Sequence, residues 1–329
     1  MRWRHCDAKD QSENLLHVRP PICSIPSPVR PKSQGLLATA IAPVFVLIWS
    51  TGFIGARYGM PHAEPATFLS MRFGGVLLVM LPVVLAMRIP WPSRQTVGHL
   101  AVAGLLLQGG YLLGVFEAVR HGMPAGVAAL IVGLQPILTA ILGGLVDEQV
   151  TARQWLGLAL GLAGVLLVVL ERLTVNGMST WSLVADTLAL VSITNGTLYQ
   201  KRFVSKFDLR IGSVIQFAAG LALVLPVALL FETRHVEWTT SLIGAIAWSI
   251  VALSIGATSL LFLLIRRGAA TRVASLMYLT PAVTAVMARI LFGDRLTLVM
   301  IAGIAVTALG IVVMMQPKPR AQPITGSRV

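Results

Sequence analysis

From Leu36 onward, long apolar runs alternate with short polar links. A helix needs about 20 mostly apolar residues to cross a hydrocarbon core about 30 Å thick. The runs approach or exceed that length, and the links are too short to hold a soluble domain. The pattern therefore predicts an all-α membrane protein with ten transmembrane helices. The predicted spans are 37–57, 66–87, 97–118, 124–145, 153–170, 181–200, 211–231, 240–265, 271–292 and 296–315.

The sixth predicted span is the weakest by hydropathy, because it carries Asp186, Ser192, Thr194 and Asn195. The basic residues support it. With both termini inside, nineteen Lys and Arg fall on inner segments and five at outer ends. Such a bias is typical of cytoplasmic loops, and leaving out the sixth span would reverse it in the later half. We therefore predict a multi-pass protein of the inner (plasma) membrane, with N- and C-terminus cytoplasmic.

The apolar runs repeat at an offset near 145 residues. Residues 71–85 align with 215–229, and 134–140 align with 279–285. Each half holds five predicted spans, an odd number, so the second half enters the membrane inverted. Inverted repeats are common in secondary transporters. The predicted organisation is a disordered cytoplasmic tail (1–35), a first repeat (36–172), a second repeat (178–316) and a cytoplasmic C-terminal tail (317–329).

Composition supports lipid as the solvent. Apolar residues make up 56% of the chain, and charged residues make up 12%, about half the usual share for soluble proteins. The net charge of +13 comes from basic residues in the tail and in short links rather than on one face of a helix. This placement argues against a nucleic-acid partner. Membrane lipids are the expected surroundings. Cys6 and Cys23 match no metal or disulfide pattern and are interpreted as incidental thiols.

Several short motifs carry a family resemblance. They are 48–53 (IWSTGF), Arg72-Phe73, 124–130 (PAGVAAL) leading to 134–136 (LQP), Asp147-Glu148 and 293–297 (GDRLT). With these motifs the chain resembles the EamA-type transporter family of the drug/metabolite transporter superfamily, over about residues 40–316. The resemblance implies ten helices, inverted five-helix repeats and export of amino acids or other metabolites. Asp294 departs from the family's usual Glu and keeps the charge.

Four charges lie within the predicted spans: Arg72, Glu117, Asp186 and Arg289. A charge at the bilayer centre costs about 2.5–3.5 kcal/mol on insertion scales, so such residues point to function. The predicted topology places all four in the outer third of the membrane. Arg72 and Glu117 are predicted to pair, either as a structural link or as part of a gate. Since the four charges lie toward one face, no proton relay through the midplane is predicted, which favours either uniport or coupling through a minor protonation step.

Uncharged polar residues outline a predicted cavity between the halves. Some will bond neighbouring helices, because a buried polar group without a partner is costly, and others will contact solute. Pro136 and Pro281 occupy matching places and are predicted to kink their helices. Glycines in spans 3 and 5 are predicted to allow close helix packing, within one chain or between two. The cavity candidates are Trp49, Ser50, Gln108, Tyr111, Gln135, Thr139, Asn195, Thr258, Tyr278 and Thr280.

No catalytic, metal-binding or cofactor-binding motif appears in the sequence. The leading hypothesis is a secondary transporter of small-molecule solutes, an exporter of metabolites such as amino acids, working by alternating access. The alternatives are a membrane-embedded enzyme or lipid-processing protein using the same cavity, and a partner subunit without transport of its own. The sequence leaves open the substrate, the direction of transport, the coupling ion and the choice between monomer and homodimer.

Overall fold

The structure is a computed structural model that describes residues 36–147, 152–175, 179–204, 207–260 and 279–315 of the 329. The predicted tails and Tyr278 lie outside these ranges. Within them, every regular element is a helix, apart from one isolated antiparallel bridge between Ala63 and Val236. The predicted all-α class is therefore confirmed for the described residues.

The helices are named here in chain order. They are α1 Leu36–Gly59, α2 Pro65–Ala86, α3 Arg94–Arg120, α4 Ala125–Val132, α5 Gln135–Asp147, α6 Ala152–Val175, α7 Thr180–Phe203, α8 Leu209–Phe231, α9 Thr240–Leu260, α10 Thr280–Phe292 and α11 Leu298–Met315. The sequence assigned 124–145 to one span, but here α4 and α5 are separated by Gly133 and Leu134. Of the predicted span 271–292, the structure describes the part that forms α10.

Among the described residues, four helices are both long and apolar enough to cross a membrane by themselves: α2, α3, α8 and α9. Shorter apolar stretches lie in α4–α5, α6, α10 and α11. Large apolar side chains cover the outside of the bundle; Leu78 is 78% exposed, Phe231 81% and Leu298 85%. Soluble monomers rarely expose extended apolar surface, so this exterior fits contact with lipid.

Local chemistry fixes where several helices begin and end. The side chains of Ser93, Ser179, Asp208 and Thr239 accept hydrogen bonds from backbone N–H groups in the first turns of α3, α7, α8 and α9. Pro65 starts α2, where its missing N–H costs nothing. Gly293 ends α10 in the left-handed conformation, with a φ of 71°.

Helix α6 packs along α11 through glycines. A Cβ at Gly303 would lie 2.6 Å from the carbonyl oxygen of Gly164, and one at Gly310 would lie 2.6 Å from that of Gly157. Since the later glycine of α6 meets the earlier glycine of α11, the two helices run antiparallel. The predicted close packing by the span-5 glycines is thus used inside the chain.

The two ends of the bundle carry different polar contacts. At one end, called the Glu232 end, Glu232 follows α8 and accepts hydrogen bonds from the N–H groups of Ala66 and Thr67, each at 2.7 Å. At the other, called the His99 end, His99 on α3 bonds Tyr199 on α7 at 2.8 Å. Helices α1, α3, α8 and α10 finish at the Glu232 end, while α2, α7 and α9 begin there.

Candidate functional site

A layer of buried polar residues crosses the bundle at one depth. Six side chains define this polar layer: Ser50, Arg72, Tyr111, Asp186, Ser249 and Thr284. Each lies six to nine residues from the helix end nearest to Glu232, which at 1.5 Å per residue is about 9–14 Å along the helix. In a hydrocarbon core about 30 Å thick, the layer therefore lies just to the Glu232 side of the middle.

Arg72 joins α2 to α9 within this layer. Its side chain is buried, and its Nε donates to Ser254 Oγ at 3.2 Å. Ser254 Oγ in turn donates to the carbonyl oxygen of Ser249 at 2.9 Å. The guanidinium has five N–H donors, and its Nε–H is the one used in this contact.

The Arg72 contact falls on an unusual stretch of backbone. Residues Ser249–Ala257 of α9 form a π-helical segment, and Leu105–Gly110 of α3 form another. The first residues of the two segments are 144 apart, which is the sequence-repeat offset. π-Helical turns leave backbone groups out of the regular ladder and are frequent at functional sites.

Asp186 has the opposite surroundings. It lies on α7 with none of its surface exposed, and neither carboxyl oxygen has a hydrogen-bond partner among the described residues. The Tyr111 phenol interacts electrostatically with both Asp186 and Arg72. The polar layer thus holds one carboxyl group and one guanidinium, with a phenol that interacts with both.

Other hydroxyl groups in and near the layer are incompletely bonded. Ser50 donates to the carbonyl oxygen of Val46 on its own helix, and Thr284 reaches the carbonyl oxygen of Ser50 at 3.5 Å. The buried hydroxyl oxygens of Thr139, Ser249 and Thr280 have no partner in the part of the chain that the structure describes. Orphaned hydroxyls inside a bundle require an explanation, and contact with water or solute provides one.

The remaining cavity candidates are more scattered. Gln135 donates to Thr197 at 3.1 Å, which links α5 to α7. Trp49 packs on Phe45 with ring centroids 5.6 Å apart, and Asn195 is exposed and donates to the carbonyl oxygen of Val191 on its own helix. Gln108 and Thr258 are partly buried. The candidates therefore do not form one continuous surface among the described residues.

The two prolines lie at the start of helical segments. Pro136 is the second residue of α5, and Pro281 is the second residue of α10. Because Pro136 has no N–H, it cannot donate to the carbonyl oxygen of Val132, where α4 ends. The breaks are neighbours in space, since a Cβ at Gly133 would lie 3.1 Å from Pro281 Cγ.

The predicted pairing of Arg72 with Glu117 is wrong. Arg72 bonds Ser254, whereas Glu117 lies 3.3 Å from His121, four residues along the same helix. Tyr111 lies nine residues, about 13.5 Å, before the end of α3, and Glu117 lies three residues before it. Glu117 is therefore nearer to the Glu232 end of the bundle than the polar layer is. Arg289 is exposed and donates to the carbonyl oxygen of Asp294 at 3.4 Å.

Sequence reasoning missed one ion pair. Arg57 at the end of α1 contacts Asp294 after α10 at 2.5 Å, with its guanidinium 4.5 Å from the Phe292 ring centre. This link ties the first half of the chain to the second at the Glu232 end. The sequence showed only an acidic residue in the 293–297 motif. It did not indicate that the partner of this residue lies 237 residues earlier.

A groove of about 440 Å³ lies between α3 and α7. Small residues form its floor: a Cβ at Gly114 would lie 2.6 Å from the carbonyl oxygen of Ala185, and one at Gly110 would meet Ser192. Glu117 is the titratable side chain in its lining. No group of three potential metal ligands occurs among the described residues.

Comparison with known proteins gives this architecture a family. The sequence pattern of the EamA-like transporter family matches residues 36–170 and again 180–316. The chain belongs to this family. The two matches together cover most of the chain, so this EamA-like protein is a membrane transporter of the drug/metabolite type.

Relatives of this EamA-like protein span most of its length. A Salmonella typhimurium protein named "Probable amino-acid metabolite efflux pump" is 28% identical over 292 residues, covering 85% of this chain and 94% of that one. The Escherichia coli inner membrane transporter YedA is 26% identical, covering 76% and 81%. The Bacillus subtilis transporter YvbV is 27% identical, covering 89% and 94%. These names indicate transporters rather than enzymes.

A solved structure supports the fold. One crystal structure matches with a TM-score of 0.61 at 18% identity, covering 85% of this chain and 97% of that one. At 18% identity the match supports the fold alone.

Proposed function

We propose that this EamA-like protein is a secondary exporter of small metabolites such as amino acids. It works by alternating access between two inverted five-helix repeats, with α4 and α5 as one broken span. The observation that carries the proposal is the buried polar layer, formed by helices of both halves. The orientation of the protein in the inner membrane is taken from the placement of Lys and Arg. The His99 end faces the cytoplasm, and the Glu232 end faces outward.

The glycine contacts between α6 and α11 support the inverted repeat. Sequence alignment pairs Gly157 with Gly303 and Gly164 with Gly310. In space the partners are exchanged: Gly164 meets Gly303, and Gly157 meets Gly310. A two-fold axis produces this exchange, because it carries each glycine onto its counterpart in the other repeat. The contact between Gly164 and Gly303 is thereby carried onto the contact between Gly310 and Gly157. Because the helices are antiparallel, the axis lies in the membrane plane.

Helix pairing gives a second line of support. In the ten-span numbering, α3 packs on α7 (spans 3 and 6) and α9 packs on α1 (spans 8 and 1). Replacing each span by its counterpart five spans away turns the pair of spans 3 and 6 into the pair of spans 8 and 1. The π-helical segments lie on α3 and α9, the two counterparts in these crossings. Repeat interfaces with interrupted helices are where secondary transporters bind solute near the midplane.

The chemistry of the layer suits a small polar solute with a carboxylate. Arg72 brings a guanidinium with five N–H donors into the layer, and guanidinium–carboxylate pairs are among the stronger hydrogen-bonded contacts in proteins. The orphaned hydroxyls of Ser249 and Thr280 supply further polar contacts. An amino acid has the charge and size for such a site, and the printed name of the Salmonella relative agrees with that class.

Metabolite profiling followed by transport assays tests the proposal. Cells overexpressing the protein are compared with cells expressing Gly303→Leu, in which the α6–α11 crossing is blocked. The purified protein is then reconstituted in vesicles loaded with a mixture of labelled amino acids. We expect at least one amino acid to leave the vesicles chemically unchanged. Chemical conversion of a metabolite without movement would favour a membrane-embedded enzyme and contradict the proposal.

A further inference from the structure

Asp186 is the feature of the polar layer that solute binding alone does not explain. Its carboxyl group is fully buried, and both of its oxygens lack a hydrogen-bond partner among the described residues. An ionised carboxylate without a partner in an apolar interior is so unfavourable that such groups take up a proton instead. In this conformation Asp186 is therefore a neutral carboxylic acid.

Among the described residues, no cation bonds the carboxyl of Asp186. Helix α7 packs against α3, α4 and α5. Of these, α4 has no titratable residue, and α5 has Asp147 at its far end. Tyr111 of α3 interacts electrostatically with Asp186, and a phenol is not a cation. The other titratable groups on α3 and α7 lie toward the helix ends: Arg94, His99, Glu117, Arg120, Tyr199, Lys201 and Arg202.

Arg72 is a cation that also interacts with Tyr111, and it bonds Ser254 on α9 rather than Asp186. Arg72 lies in the first half, on α2, and Asp186 lies in the second half, on α7. A shift of one half relative to the other therefore changes the distance between guanidinium and carboxyl. Proximity of Arg72 favours the carboxylate and separation favours the acid, so the motion between the halves controls the proton.

We infer that Asp186 is a proton-binding site that couples solute export to inward proton movement. The inference rests on the proposed transport function. In the conformation described here the carboxyl holds its proton, which entered from the Glu232 end. In the alternate conformation it ionises and the proton leaves to water at the His99 end. Solute occupying the layer when Asp186 is ionised moves outward in exchange. Of the two alternatives that the sequence left open, uniport and coupling through a protonation step, this mechanism is the second.

Infrared spectroscopy tests the proton site without any solute. The full-length protein in phospholipid vesicles is titrated between about pH 5 and pH 9, a range above the usual pKa of aspartate. We expect a carboxylic-acid carbonyl band that persists where exposed acids are ionised. The band should be lost in Asp186→Asn and retained in Asp186→Glu. The control Asp208→Asn, an acid at a helix N-terminus outside the layer, should leave it unchanged.

Transport assays test the coupling, with the twenty amino acids as labelled probes. An outwardly acidic pH gradient should stimulate net export by the wild type. Asp186→Asn should lose this stimulation, whereas Asp186→Glu, which keeps a titratable carboxyl group, should retain it. Stimulation that persists in Asp186→Asn, or a wild-type band that survives in Asp186→Asn, would overturn the inference. If the wild type exchanges no amino acid, the proposed transport of that class fails while the spectra still decide the proton site.

Discussion

The two opposite charges of the polar layer lie at similar depth but in contrasting surroundings. Arg72 is held between α2 and α9 by a hydrogen bond to Ser254 on a π-helical segment. Asp186 lies between α3 and α7 with neither oxygen bonded in the described part of the chain. The contrast shows that the layer is not a structural ion pair. We propose that Arg72 meets the solute and that Asp186 carries a proton.

The largest expected effect concerns Arg72. Arg72→Leu removes the charge-assisted contact to a solute carboxylate. Hydrogen bonds to charged groups contribute about 1.5–3 kcal/mol, which corresponds to a loss of about 10- to 100-fold in kcat/KM for export from vesicles. The control Arg94→Leu removes an exposed arginine at the His99 end and should export like the wild type. Equal export by both variants would place Arg72 outside the pathway.

Ser254 is expected to matter less. Ser254→Ala removes the acceptor for Arg72 and leaves a buried charge without its described partner. Such a group costs about 1–3 kcal/mol, so the free energy of unfolding should fall by that amount. Thermal unfolding in detergent measures it. Ser259→Ala alters an exposed hydroxyl on the same helix and should change stability by less than about 0.5 kcal/mol. If both variants unfold alike, the Arg72–Ser254 bond contributes nothing.

Asp186 is expected to show the opposite sign. Asp186→Ala removes an unbonded carboxyl from the interior and replaces it with a better helix former. We expect the free energy of unfolding to rise by about 1 kcal/mol, since an unsatisfied buried group costs that much or more. Thermal unfolding of the two proteins side by side checks this. A clear loss of stability would mean that the carboxyl has a structural partner after all.

Asp208 provides a bonded acid for comparison with Asp186. Its side chain caps α8 and accepts from Arg210, which holds the pKa of Asp208 below its usual value. The pair therefore stabilises the fold above about pH 4, the usual pKa of aspartate, and this stability is lost as pH falls through the lowered pKa. Asp208→Ala should cost about 0.5–2 kcal/mol near neutral pH. Asp208→Asn keeps the capping oxygen and should lower the free energy of unfolding by less. If both variants lose the same amount, the charge of Asp208 rather than its capping hydrogen bond is responsible for the stabilisation.

The sequence predicted the helical class well because hydropathy and charge placement are local properties. Helix α7 forms despite Asp186, Ser192 and Asn195, as the charge bias required. The same reasoning placed α4 and α5 in one span, because an apolar run shows no interruption at Gly133. It also paired Arg72 with Glu117 from their shared depth, although depth along a helix carries no information about the direction in which a side chain points.

By itself, the sequence determined that the chain enters a membrane as apolar helices, that its halves repeat, and that Arg72 and Asp186 are buried in lipid-embedded segments. Only the tertiary structure decided the partners. Arg72 meets Ser254 across 182 residues and Arg57 meets Asp294 across 237, while Asp186 meets no partner among the described residues. The physical reason is that periodicity fixes which face of a helix is polar, whereas helix rotation and crossing in the packed bundle fix what that face touches.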